Sequence, residues 1–233
     1  MFTVALIGAD GAGKTTIGQR LENQLPLPVK YVYMGVNPDS SNLLLPTTRL
    51  WLRILRARGV TPRYSGPPDP SKVKARPEGF AKRVALGLKS ALGLVNQITE
   101  EWFRQLVIWS YQRRGYIVLL DRHIYFDCYA HEIIQNGSKR PLTKRIHGFM
   151  IDRFFPRPDL VVCLDAPAEL LIRRKKEGTL ELRERRRQEY LQFSNLVNHF
   201  TIVDVDQPED EVTHQVAELI WNFYRSKNRK KSE

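Results

Sequence analysis

Apolar positions in this chain alternate between two kinds of segment. Phe2 to Ile7, Val29 to Met34, Tyr116 to Leu120, Leu160 to Leu164 and Phe200 to Val205 are short, nearly unbroken apolar runs, the pattern of strands buried on both faces. Between them the apolar residues recur at helical spacing. Ile17 and Leu21 mark a helix after the first run, and Leu50, Ile54 and Leu55 mark another over 48–58. Ile98, Trp102, Leu106 and Trp109 mark the stronger half of a helical region over 80–114, with weak points at Gly87 and Gly93 and a stop at Gly115. Further helices are predicted over 125–135, 141–155, 167–177, 180–199 and 209–225. This alternation predicts an α/β fold of three layers, a parallel five-stranded sheet covered by helices on both faces. No internal repeat or second domain is visible. The expectation is one domain over 1–225 and a basic tail over 226–233.

The first strand ends in chemistry. Gly8-Ala9-Asp10-Gly11-Ala12-Gly13-Lys14-Thr15 fits G-x-x-x-x-G-K-[ST] at every fixed position, between a strand and a helix, as the phosphate-loop motif requires. Glycines let successive N–H groups turn toward an anion, and the helix start adds partial positive charge. Lys14 is placed to reach the β- and γ-phosphates of a nucleotide, and Thr15 to offer its hydroxyl to Mg²⁺. A fold of this type is a P-loop NTPase fold, and its ligands sit at the carboxyl ends of the strands. Asp121 and Arg122 close the third strand there. Asp121 suits Mg²⁺ or its water shell, and Arg122 suits an acceptor phosphate or the transferring phosphoryl.

Charge sharpens this picture in places. The net charge is +12, concentrated in three blocks. Residues 49–89 hold eleven Lys/Arg against Asp69 and Glu78, residues 173–187 hold eight against three acids, and 225–231 hold five. The block 173–187 falls between two helices and reads as a lid, with Arg173, Arg174 and Arg183 as its candidate phosphate-facing arginines. Residues 57–79 read as a flexible basic insertion, because Pro62, Pro67, Pro68, Pro70 and Pro77 exclude a regular element. The basic helix over 48–58 is open to two readings, core packing or contact with an anionic membrane surface. A nucleic-acid-binding ATPase is a competing class, but no nucleic acid partner is expected. No Asn-Lys-x-Asp motif points to a guanine-reading switch.

Other readings are weaker. His123, Asp127 and His131 recur at i, i+4 and i+8, too spread for one metal ion. Tyr125 and Trp102 read as core or pocket wall. Cys128 and Cys163 are the only cysteines and suggest no disulfide framework. With no basic, apolar leader and no membrane-length apolar run, the expected location is the cytoplasm.

The motifs LIGADGAGKTT, LLDRH, PRPDLVVCLDAPAELLIRRKKEG and RERRRQEYLQF resemble those of the thymidylate kinases and their relatives among P-loop nucleoside monophosphate kinases. The resemblance covers the N-terminus, 116–130 and 156–193. It implies Mg²⁺-dependent transfer of the ATP γ-phosphoryl to a small-molecule phosphate acceptor, dTMP-like first, and a homodimer. It implies that Gly8, Ala9, Asp10, Gly11, Ala12, Gly13, Lys14, Thr15 and Thr16 hold ATP, that Thr15 and Asp121 serve the metal, and that Asp10 and Arg122 face the acceptor. The middle of the chain departs from the pattern. Where the family carries an arginine about twenty residues before the Asp-Arg pair, this chain has Glu101, with Arg104 a turn later as the candidate substitute. Trp102 and Tyr125 complete the candidate acceptor residues. A kinase of the same fold with a sugar or lipid-linked acceptor is the alternative.

Overall fold

The computed structural model describes residues 1–35, 41, 43–59, 80–129, 141–176 and 178–232. Five parallel strands form one sheet: β1 (Thr3–Ile7), β2 (Val29–Tyr33), β3 (Ile117–Asp121), β4 (Leu160–Asp165) and β5 (Phe200–Asp204), in the order β2-β3-β1-β4-β5. The apolar runs predicted as strands are these strands, each within a residue or two at its ends. Alternate residues of β1 enter two separate cores, which is why the run is continuous rather than alternating. Phe2, Val4 and Leu6 pack with Ile17 and Leu21 of α1 (Lys14–Gln24) and with Val216 and Ile220 of α8 (Glu209–Ser232). Ala5 and Ile7 pack on the opposite face with Ile108 of α3 (Phe80–Arg113) and Ile151 of α5 (Leu142–Phe154). Each fully buried Leu or Ile side chain contributes about 1.5–3 kcal/mol to this three-layer core.

Register then places the chemistry. Leu6 pairs with Asp121, Ile7 with Cys163, and Asp165 with Asp204. The last residues of β1, β3 and β4 therefore lie side by side at one edge, and the loop at Gly8 begins between Asp121 and Asp165.

Several boundaries differ from the sequence expectation. α3 is one helix of 34 residues, running through both Gly87 and Gly93. A glycine inside a helix costs only about 1 kcal/mol, and the surrounding Ala, Leu and Lys are strong helix formers. α2 (Pro46–Ala57) starts two residues before the predicted 48, with proline in the first turn, where its missing N–H is harmless. α8 continues to Ser232 through the expected basic tail. α6 (Ala168–Arg174) and α7 (Leu180–Leu191) are joined by a short connection, and a 3-10 turn, Gln192–Asn195, follows α7. α4 (Ile124–Cys128) covers the start of the helix predicted over 125–135; its continuation, and residues 60–79 of the basic insertion, lie outside the described residues. No described helix is long and apolar enough to cross a membrane.

Candidate functional site

The loop from Gly8 to Gly13 is shaped by what it touches. Gly8 has φ +137°, and a Cβ there would sit 2.2 Å from the carbonyl oxygen of Leu164 in β4. Gly11 has φ +96°, and its Cβ would sit 2.6 Å from the carbonyl oxygen of Leu171 in α6. Both positions exclude a side chain on two counts, conformation and space. α1 opens at Lys14 behind Gly13, with no side chain capping its first turn, leaving the positive end of the helix directed at the loop.

Lys14 is buried, and its Nζ donates to the carbonyl oxygens of Gly8 and Ala9, both at 2.8 Å. Burial, with the Arg122 charge adding to it, brings its pKa down to about 8. The ammonium is thus parked on the loop's own carbonyls, at the place where phosphate oxygens would supply stronger partners.

Asp121 is fully buried. Its Oδ2 accepts hydrogen bonds from Thr15 Oγ1 at 2.5 Å and Tyr31 Oη at 2.7 Å, while its Oδ1 is buried without a hydrogen-bond partner. A buried carboxylate oxygen left over, beside a threonine hydroxyl and a phosphate loop, fits Mg²⁺. That hard cation keeps several waters and takes one or two carboxylate ligands plus phosphate oxygens. Among the described residues no group of three or more His, Cys, Asp or Glu could cage a metal. Of the His123, Asp127 and His131 series, His123 is buried, its Nδ1 accepts from the Tyr125 N–H, and burial lowers its pKa to about 3. His131 lies outside the described residues.

Arg122 is the only described non-glycine residue with positive φ, +70°. This strained conformation turns its side chain back toward the phosphate loop, where its guanidinium binds the Asp10 carboxylate. Arg183 of α7 reaches the same residue, donating to the Asp10 carbonyl at 2.8 Å and lying 3.6 Å from the carboxylate. Burial works to raise the Asp10 pKa, and the charges of Arg122 and Lys14 overcome it and hold the carboxyl well below the usual range. Behind Arg122, burial raises the Asp127 carboxyl and Arg122 opposes it; Tyr190 Oη donates to Asp127 at 2.9 Å.

The three arginines expected in a lid separate. Arg183 is buried against the loop, as described. Arg174 donates to the carbonyl of Val205 at 2.9 Å and lines a cavity of about 500 Å³. The phosphate loop, Arg122, Gln207 and Val212 line the same cavity. Arg173 is exposed on α6 and does not line it. Arg187, which the sequence did not single out, forms a two-pronged ion pair with Asp165 at 2.8 and 2.9 Å and fastens α7 to the end of β4.

Three candidate acceptor residues face protein. The Arg104 guanidinium donates to the carbonyls of Met34 (3.3 Å), Gly35 (2.9 Å) and Leu43 (3.2 Å), and lies 3.5 Å from Glu100. It clamps both ends of the segment after β2. Glu101, at the departing position, is buried against His147 Nε2 at 2.9 Å and Gln97 Nε2 at 3.1 Å. Trp102 packs on Phe155 and Trp109, with ring centroids 5.9 and 6.1 Å apart. Tyr125 is buried among Phe126 and Tyr129, with the Arg157 guanidinium 4.8 Å from its ring centroid. Trp102 and Tyr125 are therefore packing residues on the α3 side of the sheet. Tyr31 escaped the sequence reading: within VKYVY nothing distinguishes it from a core residue.

No protein-family model matches the chain. It is 24% identical over 224 residues to a probable thymidylate kinase 1 of Saccharolobus solfataricus, covering 93% of this chain and 95% of that one. It is 25% identical over 231 residues to a probable thymidylate kinase of Archaeoglobus fulgidus, covering 96% and 97%. A probable thymidylate kinase of Pyrococcus abyssi is 29% identical over 115 residues, 46% of this chain and 53% of that one. The solved structure of thymidylate kinase from Candida albicans superposes with a TM-score of 0.59 at 22% identity, covering 96% of this chain and 92% of that one, which is agreement of fold. Over nearly its whole length the chain is thus similar to proteins named probable thymidylate kinases, and it shares the fold of a solved thymidylate kinase, with a complete phosphate loop beside Asp121 and Arg122.

Proposed function

We propose that this protein transfers the γ-phosphoryl group of ATP to a dTMP-like nucleoside monophosphate, with Mg²⁺, within one kinase domain spanning 1–225. The observation that carries the reading is the meeting of Lys14, the Thr15–Asp121 pair and Arg122 at one edge of the sheet. Backbone N–H groups of Gly8 to Thr16 and the Lys14 ammonium would bind the β- and γ-phosphates, Lys14 leaving its two loop carbonyls to do so. Thr15 and Asp121 would hold Mg²⁺, which when bound would offset the charge of the phosphates.

An oxygen of the acceptor phosphate attacks the γ-phosphorus, and the bond from that phosphorus to the β–γ bridging oxygen breaks. The electron pair leaves on ADP. The acceptor phosphate, with a second pKa near 6, is already an anion at neutral pH, so no general base is needed. Arg122 would bind the acceptor phosphate and the transferring group, its guanidinium oriented by Asp10. Arg183 seats the lid helix on the loop, and Arg174 borders the part of the cavity farther from β3, beside Val205 and Gln207. Arg173 is left as a surface residue.

A homodimer and a cytoplasmic location belong to the same proposal. The first is supported by the exposed Leu142, Ile146 and Phe149 along one face of α5. The deciding experiment is an ADP-release assay with ATP and Mg²⁺ across dTMP, dUMP, CMP, UMP, AMP and GMP. Turnover with dTMP is expected. Silence with every nucleotide, from protein that still binds ATP, would refute the acceptor assignment.

A further inference from the structure

One face of α7 docks on three aspartates, each at or beyond the carboxyl end of a different strand. Arg183, Arg187 and Tyr190 share that face, recurring at i, i+4 and i+7. Arg183 donates to the carbonyl of Asp10, beyond β1, and lies 3.6 Å from its carboxylate. Arg187 grips Asp165 at the end of β4. Tyr190 Oη donates to Asp127 Oδ1, beyond β3, at 2.9 Å. Aromatic packing holds this last contact. Phe193, in the turn after α7, has its ring centroid 4.9 Å from that of Phe126 and 5.8 Å from that of Tyr190. Tyr190 is itself buried in this cluster, which fixes the direction of its hydroxyl.

Two of these three carboxylates also act on Arg122. Its guanidinium binds Asp10 directly. Burial works against the Arg122 charge, and the Asp127 and Asp10 carboxylates overcome it, Asp127 with the larger coulombic effect. The stem of the side chain is confined as well, since a Cβ added at Gly35 would come within 2.8 Å of Arg122 Cδ. Arg122 keeps φ at +70°, a conformation that a non-glycine residue holds only where its surroundings over-determine it. Asp10 and Asp127 supply part of that constraint, and α7 grips both.

We propose that Tyr190 and Asp127 are positioning residues for Arg122, through which α7 sets the place of its guanidinium. This rests on the reading of Arg122 as the group that binds the acceptor phosphate and the transferring phosphoryl. Tyr190 acts through Asp127 and needs no contact with either reactant. An Asp127 carboxylate oriented by the tyrosine holds Arg122 from α4, while Asp10, tied to Arg183, holds it from the phosphate loop. Arg122 is therefore fully placed only while α7 is docked.

Urea denaturation of the full chain tests the coupling without any substrate. Tyr190→Phe keeps the ring and its packing, so the variant should fold, with a lowered midpoint. In an Arg122→Met background the same change should lower the midpoint by about half as much or less. Without its cation, buried Asp127 takes up a proton and accepts a weaker, uncharged hydrogen bond. Equal drops in the two backgrounds, or no drop in the wild type, would overturn the proposal. Kinetics read the consequence for the reaction. On a nucleotide that the wild type phosphorylates, Tyr190→Phe should lower kcat about tenfold and leave the KM for ATP unchanged. An unchanged kcat, or a loss confined to the KM for ATP, would assign Tyr190 to the packing of α7 alone and overturn the proposal as well. Silence of the wild type with every nucleotide would refute the acceptor reading instead, and the urea comparison would still decide whether Tyr190 positions Arg122.

Discussion

Raising the pH above neutrality should stabilise this protein through a single side chain. Lys14 is buried, and burial, reinforced by the Arg122 charge, lowers its pKa from 10.5 to about 8 in the folded chain. Between those values the unfolded chain holds a proton that the folded chain has released, so stability rises with pH across the interval. Below about 8 the lysine is charged in both states and the burial penalty is present in full; above 10.5 it is neutral in both and the penalty is relieved. At about 1.4 kcal/mol per pH unit, the interval amounts to roughly 3 kcal/mol. Other groups oppose the trend. Burial raises the pKa of Tyr31, Tyr125 and Tyr190, and lifts Cys163 to about 12, so each ionises first in the unfolded chain and lowers stability at high pH. The quantity to measure is therefore the difference between wild type and Lys14→Met, by urea denaturation at a series of pH values. The wild type should gain roughly 3 kcal/mol on the variant between pH 8 and 10.5. A difference that stays flat across that window would refute the buried, discharged lysine. Nucleotide phosphates should restore the charge, so ATP binding near pH 9 is expected to take up a proton. Calorimetry in buffers of different ionisation heat would register it.

Tyr31→Phe keeps the ring and removes one of two donors to Asp121 Oδ2. Losing a hydrogen bond to a buried charged group should cost about 1.5–3 kcal/mol, read as a lower urea midpoint with an unchanged slope; a midpoint equal to wild type would remove Tyr31 from the site's support. Gly8→Ala must displace the Leu164 carbonyl, 2.2 Å from the new Cβ, as well as hold φ at +137°. Destabilisation of at least about 2 kcal/mol is expected, together with loss of ATP binding by fluorescence titration, and normal stability would contradict the packing. Arg183→Ala removes a charged donor to the loop at 2.8 Å. The KM for ATP should rise about tenfold or more with the fold intact, and an unchanged KM would mean the lid is not held through this contact.

Local signals carried much of this protein. Unbroken apolar runs bounded by glycine, proline and polar residues are readable because a strand buried on both faces tolerates little else. The loop from Gly8 to Thr15 is readable because an anion-binding turn restricts residue types at fixed spacing. Asp121 and Arg122 were legible for the same reason, since a charged pair closing an apolar strand has few places to go in a parallel sheet. Tertiary structure decided the partners. Tyr31 meets Asp121 only because β2 lies beside β3 in register, and nothing in VKYVY encodes that neighbour. Arg104 and Arg183 are both arginines on helices, yet one clamps the segment after β2 and the other ties α7 to the phosphate loop. The difference comes from where each helix docks, which side-chain spacing alone does not contain. The exposed leucines of α3 have the periodicity of a core helix. Only the packed structure shows which of its faces the sheet and α5 leave uncovered, because burial belongs to pairs of elements and not to either one.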